Sequence, residues 1–416
     1  MSRATTSCPA RRSRRALSDR LSPLPNWMTA ADTRRVLAAL TKEGATVRFC
    51  GGAVRDALAR IPTVTDIDLA TPDPPETVMR LAASAGLTTR PTGIDHGTVT
   101  VVADKRAFEV TTLRRDVETY GRKAKVAFTD DWKEDAARRD FTINALYADP
   151  DGTLTDYFDG IADLASGRVR FIGDAVERIR EDALRILRFF RFHARFGASA
   201  PDIESLTACR TMAPLTASLS GERIRQELFR LMTGPRPDYA IRLMIEGEVL
   251  ANVLPQAKRL DRFSRLVAIE PAADQLRRLG ALLDGGADVV ALRLRLSNAE
   301  ARRLVEMCPP LALPTDADEK GRRRMLYAYE ASRIRDGAWL ALADTGDQRY
   351  RAWIDDADAW QRPKMPVGGE DAQRLGVPKG PMLGQALRQV EDAWIASDFT
   401  LDRAGCLKIL ESAAAR

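Results

Sequence analysis

Histidine is nearly absent: the 416-residue chain has only His96 and His193. Counting alone excludes the His-rich metal clusters of many phosphohydrolases, and neither histidine sits in a carboxylate-histidine pattern. Cysteine is sparse and scattered. Cys8, Cys50, Cys209, Cys308 and Cys406 form no CxxC pair, which argues against a structural zinc site or a disulfide framework and suits a reducing, cytoplasmic compartment. No run approaches the roughly 18 apolar residues of a membrane-spanning helix, so a soluble protein without a membrane partner is expected. Low-complexity sequence is missing too. At 45% apolar and 29% charged residues the chain has ordinary globular composition, long enough for several hydrophobic cores.

Positive charge is scarcer than the total suggests. Lys plus Arg number 64 against 58 Asp plus Glu, a net +6. Residues 1–20 hold six arginines (Arg3, Arg11, Arg12, Arg14, Arg15, Arg20) against Asp19 alone, so five of the six net charges sit there. The remainder is near +1, and any RNA-binding surface must be a local patch. The basic, Ser-bearing start, broken by Pro9, has the composition of an organellar transit peptide. The plainer reading is a disordered extension over 1–25, with Met28 as a second candidate start.

What is present is an alternation of patterns from about residue 29. Residues 32–43 predict a helix, 47–50 a short strand stopped by Gly51-Gly52, 66–70 a strand, and 74–85 a helix. Residues 98–103 and 107–113 predict two more strands, rich in β-branched residues. After residue 172 strand signals nearly vanish. Residues 174–196 predict one long helix, with Asp174 and Glu177 as a capping box and Val176, Ile179, Ala183, Ile186, Leu187 and Phe190 as its apolar stripe. The fold class is therefore α+β: a small mixed β-sheet with helices, followed by an all-helical remainder.

Chemistry concentrates in three places. Asp66-Ile67-Asp68 lies on a predicted strand, where side chains at i and i+2 share a face with Cα atoms about 6.5–7 Å apart. Carboxylates so placed can bracket two divalent cations about 3.5–4 Å apart, and hard ions such as Mg²⁺ take such oxygens and complete their shells with water and phosphate. The alternative is a solvated strand edge. Gly51-Gly52 ends a strand and opens a helix, so its backbone N–H groups can approach phosphates, with Arg55 one turn on. Glu109, among Phe108, Val110 and Thr111, is either a third metal carboxylate or a surface residue. In the run Arg138-Arg139-Asp140-Phe141-Thr142-Ile143-Asn144-Ala145, two arginines suit a triphosphate, and Asp140 and Asn144 suit ribose hydroxyls. The plain alternative is a helix start with Asp140 as N-cap.

Gly51-Gly52-Ala53-Val54-Arg55-Asp56, then Asp66-Ile67-Asp68, then Arg138 to Ala145 resembles the class II tRNA nucleotidyltransferases, the family of CCA-adding enzymes and bacterial poly(A) polymerases. The resemblance continues through Phe158-Asp159-Gly160, Arg180-Glu181-Asp182-Ala183-Leu184-Arg185 and Ser220-Gly221-Glu222-Arg223-Ile224, and more loosely through Gly369-Glu370-Asp371 and residues 375–387. It implies a nucleotidyltransferase head followed by helical neck, body and tail, over 26–172, 173–235, 236–330 and 331–416, with RNA binding in the tail. It implies a CCA-adding enzyme that extends the tRNA 3′ end from CTP and ATP with Mg²⁺ as cofactor. Asp66, Asp68 and Glu109 would be catalytic, with Asp66 and Asp68 the metal ligands. Gly51, Gly52, Arg55, Arg138, Arg139, Asp140, Asn144, Asp182, Arg185 and Arg188 would bind nucleotide. The oligomeric state is not legible.

Base choice follows from hydrogen-bond order. Adenine and cytosine both present an amino donor beside a ring-nitrogen acceptor, whereas uracil and guanine present the reverse. A carboxylate beside a guanidinium accepts the first pair and rejects the second. Asp182 and Arg185, at i and i+3 of the predicted helix, fit that role. Surface ion pairs are the alternative, because Glu181 precedes Arg185 by four residues and Arg178 precedes Asp182 by four. Residues 114–132 resemble the family's flexible loop, but Tyr120-Gly121-Arg122-Lys123-Ala124 stands where relatives often read Asp-Gly-Arg-His-Ala. Poly(A) polymerases of the family generally carry a Gly-Arg/Lys-Arg/Lys-Phe segment after the paired aspartates. Here Thr92-Gly93-Ile94-Asp95-His96-Gly97-Thr98-Val99 takes the CCA-like form. An inactive RNA-binding homologue would have lost a ligand of the set, and every candidate is present. Trp353, Trp360 and Trp394 could stack on RNA, but core packing is the better use.

Overall fold

The computed structural model describes residues 19–62, 66–120, 123–198 and 200–414, with the side chains at 116–120 and 123–126 left aside. The chain divides into two compact units, Met1–Pro255 and Gln256–Arg416. In the first unit, α1 (Ala31–Leu40) precedes β1 (Arg48–Cys50), α2 (Gly52–Leu58), β2 (Ile67–Thr71) and α3 (Pro75–Ser84). β3 (Thr88–Gly93), β4 (Thr98–Ala103), β5 (Arg106–Thr112), β6 (Arg114–Tyr120), β7 (Lys123–Phe128), α4 (Trp132–Ala137), β8 (Leu146–Ala148) and β9 (Leu154–Asp156) complete the α/β part. Seven strands form one mixed sheet in the order β3-β4-β5-β2-β1-β8-β9. Only the β2–β5 pair is parallel, and it sets Asp68 directly against Glu109.

The sheet holds together through one face. In β4, Val99, Val101 and Ala103 alternate inward while Thr98, Thr100 and Val102 stay half-covered, the period-two signature of a strand with one buried face. Val36, Leu37 and Leu40 of α1 and Val78 and Leu81 of α3 join Phe49, Leu69, Phe108 and Val110 in that core. At a typical ~25 cal/mol per Å² of apolar surface, each such side chain contributes about 1.5–3 kcal/mol. Ordered chain starts earlier than the extension expected over 1–25. Leu21 is buried, its N–H bonds Gly152 O at 2.8 Å, and Leu154 N–H bonds Asp19 O at 2.9 Å. Residues 1–18, with five of the six N-terminal arginines, lie outside the described residues.

Two expectations change. Residues 114–132 form no open loop where described: β6 and β7 pair as a separate antiparallel hairpin running from Arg114↔Phe128 to Tyr120↔Lys123. Gly121 and Arg122 lie outside the described residues. The single helix expected over 174–196 is two helices, α5 (Ala175–Glu181) and α6 (Leu184–Phe196), because Asp182 is extended at φ −154°, ψ 103°. Asp174 does cap α5, accepting Glu177 N–H at 2.9 Å. α7 (Gly221–Thr233) follows further along the first unit.

All regular elements described after residue 172 are helices. In the second unit a buried charge network orders them: Glu270 takes Arg277 and Arg278, and Asp336 takes Arg277 at 2.9 Å and Arg303 at 2.7 Å. Trp353 and Trp394 are buried and Trp360 is half-buried. Trp394 packs edge-on against Tyr327 and Phe399, so these rings serve the core. No described helix is long and apolar enough to cross a membrane.

Candidate active site

Asp66 stands immediately before β2 and is exposed, Asp68 is half-buried on β2, and Glu109 is exposed on β5 opposite it. Glu109 therefore needs no buried partner, and its surface position leaves it open to a ligand. Burial first, then the charges of Glu109 and Asp66, push Asp68 up to about 6 despite the opposing charge of Arg139. Hard oxygen donors crowded with like charge are a donor set that a divalent cation fits. Among the described residues no group of three or more His, Cys, Asp or Glu side chains forms a complete ion site. A cation held here would take water and substrate oxygens for its other positions.

Behind the carboxylates lies the glycine turn. Gly51 has φ 66°, ψ −126°, a conformation side chains resist, and its N–H bonds Leu146 O at 3.0 Å. A Cβ there would stand 3.0 Å from Arg139 Nη1 and 3.9 Å from Asp68 Oδ2. Glycine is what lets the guanidinium come so close.

The arginine pair is braced from beneath. Arg138 donates Nε to Asp135 Oδ1 at 2.8 Å, and Arg139 donates Nη2 to Asp135 Oδ2 at 3.2 Å. Arg139 also reaches Asn144 O at 3.3 Å and lies over the Tyr147 ring. Residues 142–144 form one 3-10 turn capped by Phe141, not a helix capped by Asp140. Asp140 is buried and turned inward, accepting Phe141 N–H and Asn144 Nδ2 at 2.9 Å each and Arg188 Nε at 2.6 Å. Burial alone would raise its pKa, but the Arg188 charge and these bonds hold it below the ordinary value. Arg55 is buried too. It donates to Asn144 Oδ1 and Asp56 and lies over the rings of Phe192 and Phe196. Arg55, Asp140, Asn144 and Arg188 thus form one network that ties the turn after β1 to α6.

The base-reading pair is arranged differently from one helix face. Asp182, at the break between α5 and α6, accepts Leu184 N–H at 3.1 Å and takes both terminal nitrogens of Arg223 from α7, at 3.0 and 2.6 Å. Arg185 donates to Glu181 at 2.6 Å, to Arg178 O at 3.0 Å and to Arg138 O at 3.1 Å. The ion pair foreseen between Glu181 and Arg185 is present. Where a pair between Arg178 and Asp182 was foreseen, Arg178 pairs with Glu181 and Asp182 with Arg223.

Sequence reading passed over Asp135, Tyr147 and Glu227 and gave Arg223 no role. Asp135 was open to detection, standing three and four residues before the two arginines. Glu227, buried on α7 beneath Arg191 and Arg188, carries no local signal. His193 packs in the core: it stacks on Phe189, with Nε2 3.3 Å from the Tyr239 hydroxyl.

Comparison with known proteins adds an independent line. Residues 47–170 match the poly A polymerase head domain, and 200–260 match the probable RNA- and SrmB-binding site of polymerase A. The chain is 35% identical to the mitochondrial CCA tRNA nucleotidyltransferase 1 of Mus musculus over 374 residues, 87% of this chain and 86% of that one. It is 37% identical to a CCA-adding enzyme of Streptococcus pneumoniae over 397 residues, 92% and 97% of the two chains. Among solved structures it is similar to the CCA-adding enzyme of Bacillus stearothermophilus in complex with CTP, with a TM-score of 0.76 at 27% identity, covering 92% of this chain and 96% of that one.

Proposed function

The chain belongs to the family of CCA-adding tRNA nucleotidyltransferases, and from that membership we propose how its own residues add C, C and A to the tRNA 3′ end from CTP and ATP. The observation that carries the reading is the pairing of Asp68 with Glu109, with Asp66 adjacent and Arg139 beside them. Asp66 and Asp68 would hold two divalent cations, which we take to be Mg²⁺. When bound, they would supply acidification of the RNA 3′-hydroxyl and neutralisation of charge on the departing pyrophosphate.

The protein's own groups bind and orient. Arg138 and Arg139, both partly open to solvent, hold the triphosphate, while Gly51 and Gly52 keep the turn below it free of side chains. Asp140, Asn144, Arg55 and Arg188 act from beneath by fixing that turn and the loop that carries the arginines. Asp182 and Arg185 read the base edge. A carboxylate has about four acceptor positions and a guanidinium five donors, so each retains capacity after its contacts with Arg223 and Glu181. Transfer needs no template, because the protein's donors and acceptors replace one.

RNA is assigned to the helical residues after 172. In the tail, exposed Lys379, Arg388 and Lys408 are available to phosphates, whereas the buried Trp353 and Trp394 are not. Named relatives include bacterial and mitochondrial enzymes. We favour the cytoplasm for this chain because its described cysteines, Cys50, Cys209, Cys308 and Cys406, are all unpaired thiols.

The test is incorporation on tRNA lacking CCA, with CTP, ATP or both. Two CMP and one AMP are expected, in that order. A run of AMP without CMP would make the chain a poly(A) polymerase, and no incorporation an inactive homologue.

A further inference from the structure

We propose that Asp135 is a positioning residue for transfer: one buried carboxylate sets both arginines of the pair, so that their outer edges face the triphosphate in a fixed orientation. The inference rests on the reading of Arg138 and Arg139 as triphosphate contacts.

The geometry is specific. The Asp135 side chain is 1% exposed, yet it lies on α4 directly under the loop. Oδ1 accepts Arg138 Nε at 2.8 Å and lies 2.7 Å from Arg138 Nη2, and it also accepts Arg114 N–H, the start of β6, at 3.3 Å. Oδ2 accepts Arg139 Nη2 at 3.2 Å and the Tyr147 hydroxyl at 2.7 Å. The carboxylate is thereby saturated from three directions: α4's own loop, the base of the hairpin, and β8. Each guanidinium is gripped along one edge, Arg139 Nη1 also bonds Asn144 O at 3.3 Å, and both side chains stay partly open to solvent. Burial opposes the charge, but Arg138, Arg139 and the Tyr147 hydroxyl hold the Asp135 pKa at about 2, so the grip persists across the neutral range.

A grip of this kind acts on geometry and on charge with opposite consequences. Without the carboxylate, the loop gains a net positive charge, which favours binding of any triphosphate. The two guanidinium groups, however, lose their common anchor and must be ordered at the moment of reaction. Binding and turnover should therefore separate. A part that merely supported the fold would lower apparent turnover through the fraction of active protein and leave kcat and KM per active site unchanged.

The experiment compares Asp135→Asn with the parent chain in steady-state addition to tRNA lacking CCA, for CTP and ATP, with rates normalised to titrated active sites. Expected is a fall in kcat of at least tenfold with KM for both nucleotides unchanged or lower. A raised KM at unchanged kcat, or no change in either per active site, overturns the proposal. Tyr147→Phe removes one bond to the same carboxylate and keeps its charge, which guards against a misfolded Asp135→Asn. It should lower kcat two- to fivefold without raising KM, and an unchanged kcat counts against the proposal. Arg139→Gln separates the two levels. If it fails to raise KM, the triphosphate reading itself falls and this inference with it. If it raises KM while Asp135→Asn and Tyr147→Phe leave kcat intact, only the positioning role falls.

Discussion

Asp182 gives its carboxylate to Arg223, forty-one residues on, through bonds of 3.0 and 2.6 Å, while Arg185 turns to Glu181 at 2.6 Å. The two residues assigned to base reading are thus each fixed by a different partner. A charged bidentate pair on the one side and a charge plus two carbonyls on the other make both orientations stiff.

Removing the Asp182 brace, or Arg185 itself, should therefore alter base choice as well as stability. Arg223→Met leaves Asp182 with only Leu184 N–H, and a lost charged hydrogen bond at a partly buried pair costs about 1.5–3 kcal/mol. Arg185→Gln should lower discrimination against UTP and GTP roughly ten- to a hundredfold by the same magnitude. It should lower the melting temperature too, because Arg138 O and Arg178 O lose their donor. Incorporation of all four nucleotides beside a melting curve measures both. Lowered stability with intact selectivity would return Arg185 to a purely structural role.

Gly51→Ala should be costly in two ways. A side chain at φ 66°, ψ −126° adds about 1–3 kcal/mol of backbone strain. Its Cβ also displaces Arg139, whose Nη1 would lie at 3.0 Å. Urea unfolding should show the strain, and a raised KM for CTP the displacement.

His193 makes the fold sensitive to mild acid. Burial, with the charge of Arg236, lowers its pKa to about 4 from an ordinary 6.5. Between those values the unfolded chain binds a proton that the folded one refuses, so stability falls as pH drops from 6.5 towards 4 and is unaffected at pH 7 and above. The full effect is on the order of 3 kcal/mol. His193→Phe should flatten that slope in urea unfolding at pH 7.5 and pH 5. Equal slopes in the two proteins would contradict the burial argument.

Trp394→Ala separates a core tryptophan from an RNA platform. Its ring is 2% exposed, so truncation should cost about 3–5 kcal/mol. Any change in KM for tRNA should vanish at a temperature where the variant is fully folded. A weakened tRNA interaction in folded, unshifted protein would restore the stacking role.

The sequence made most of this legible where the pattern was local. The β-branched run 98–103 matches β4 to the residue, and Gly51-Gly52 marks a turn at which Gly51 has a positive φ. Strands without alternation escaped. β3 contains Pro91 and is largely exposed, while β8 is three residues, all buried, with neither length nor period to show. The break at Asp182 was invisible for another reason. The apolar stripe of Ile179, Ala183, Ile186 and Leu187 runs through it unbroken, and what stabilises the extended residue is Arg223 from a distant helix. Likewise the sequence leaves Asp140 as a ribose contact or a cap, and its inward bonds to Phe141 N–H, Asn144 and the distant Arg188 are visible only in the fold.

The central claim is that the carboxylates at the start of β2 carry nucleotidyl transfer, and single-turnover addition by Asp68→Asn tests it most directly. Loss of one ligand removes several kcal/mol of transition-state stabilisation, so the rate should fall about a thousandfold or more. The melting temperature and tRNA affinity should stay near those of the parent chain. Near-normal turnover in folded Asp68→Asn protein would show that the metal and the chemistry lie elsewhere.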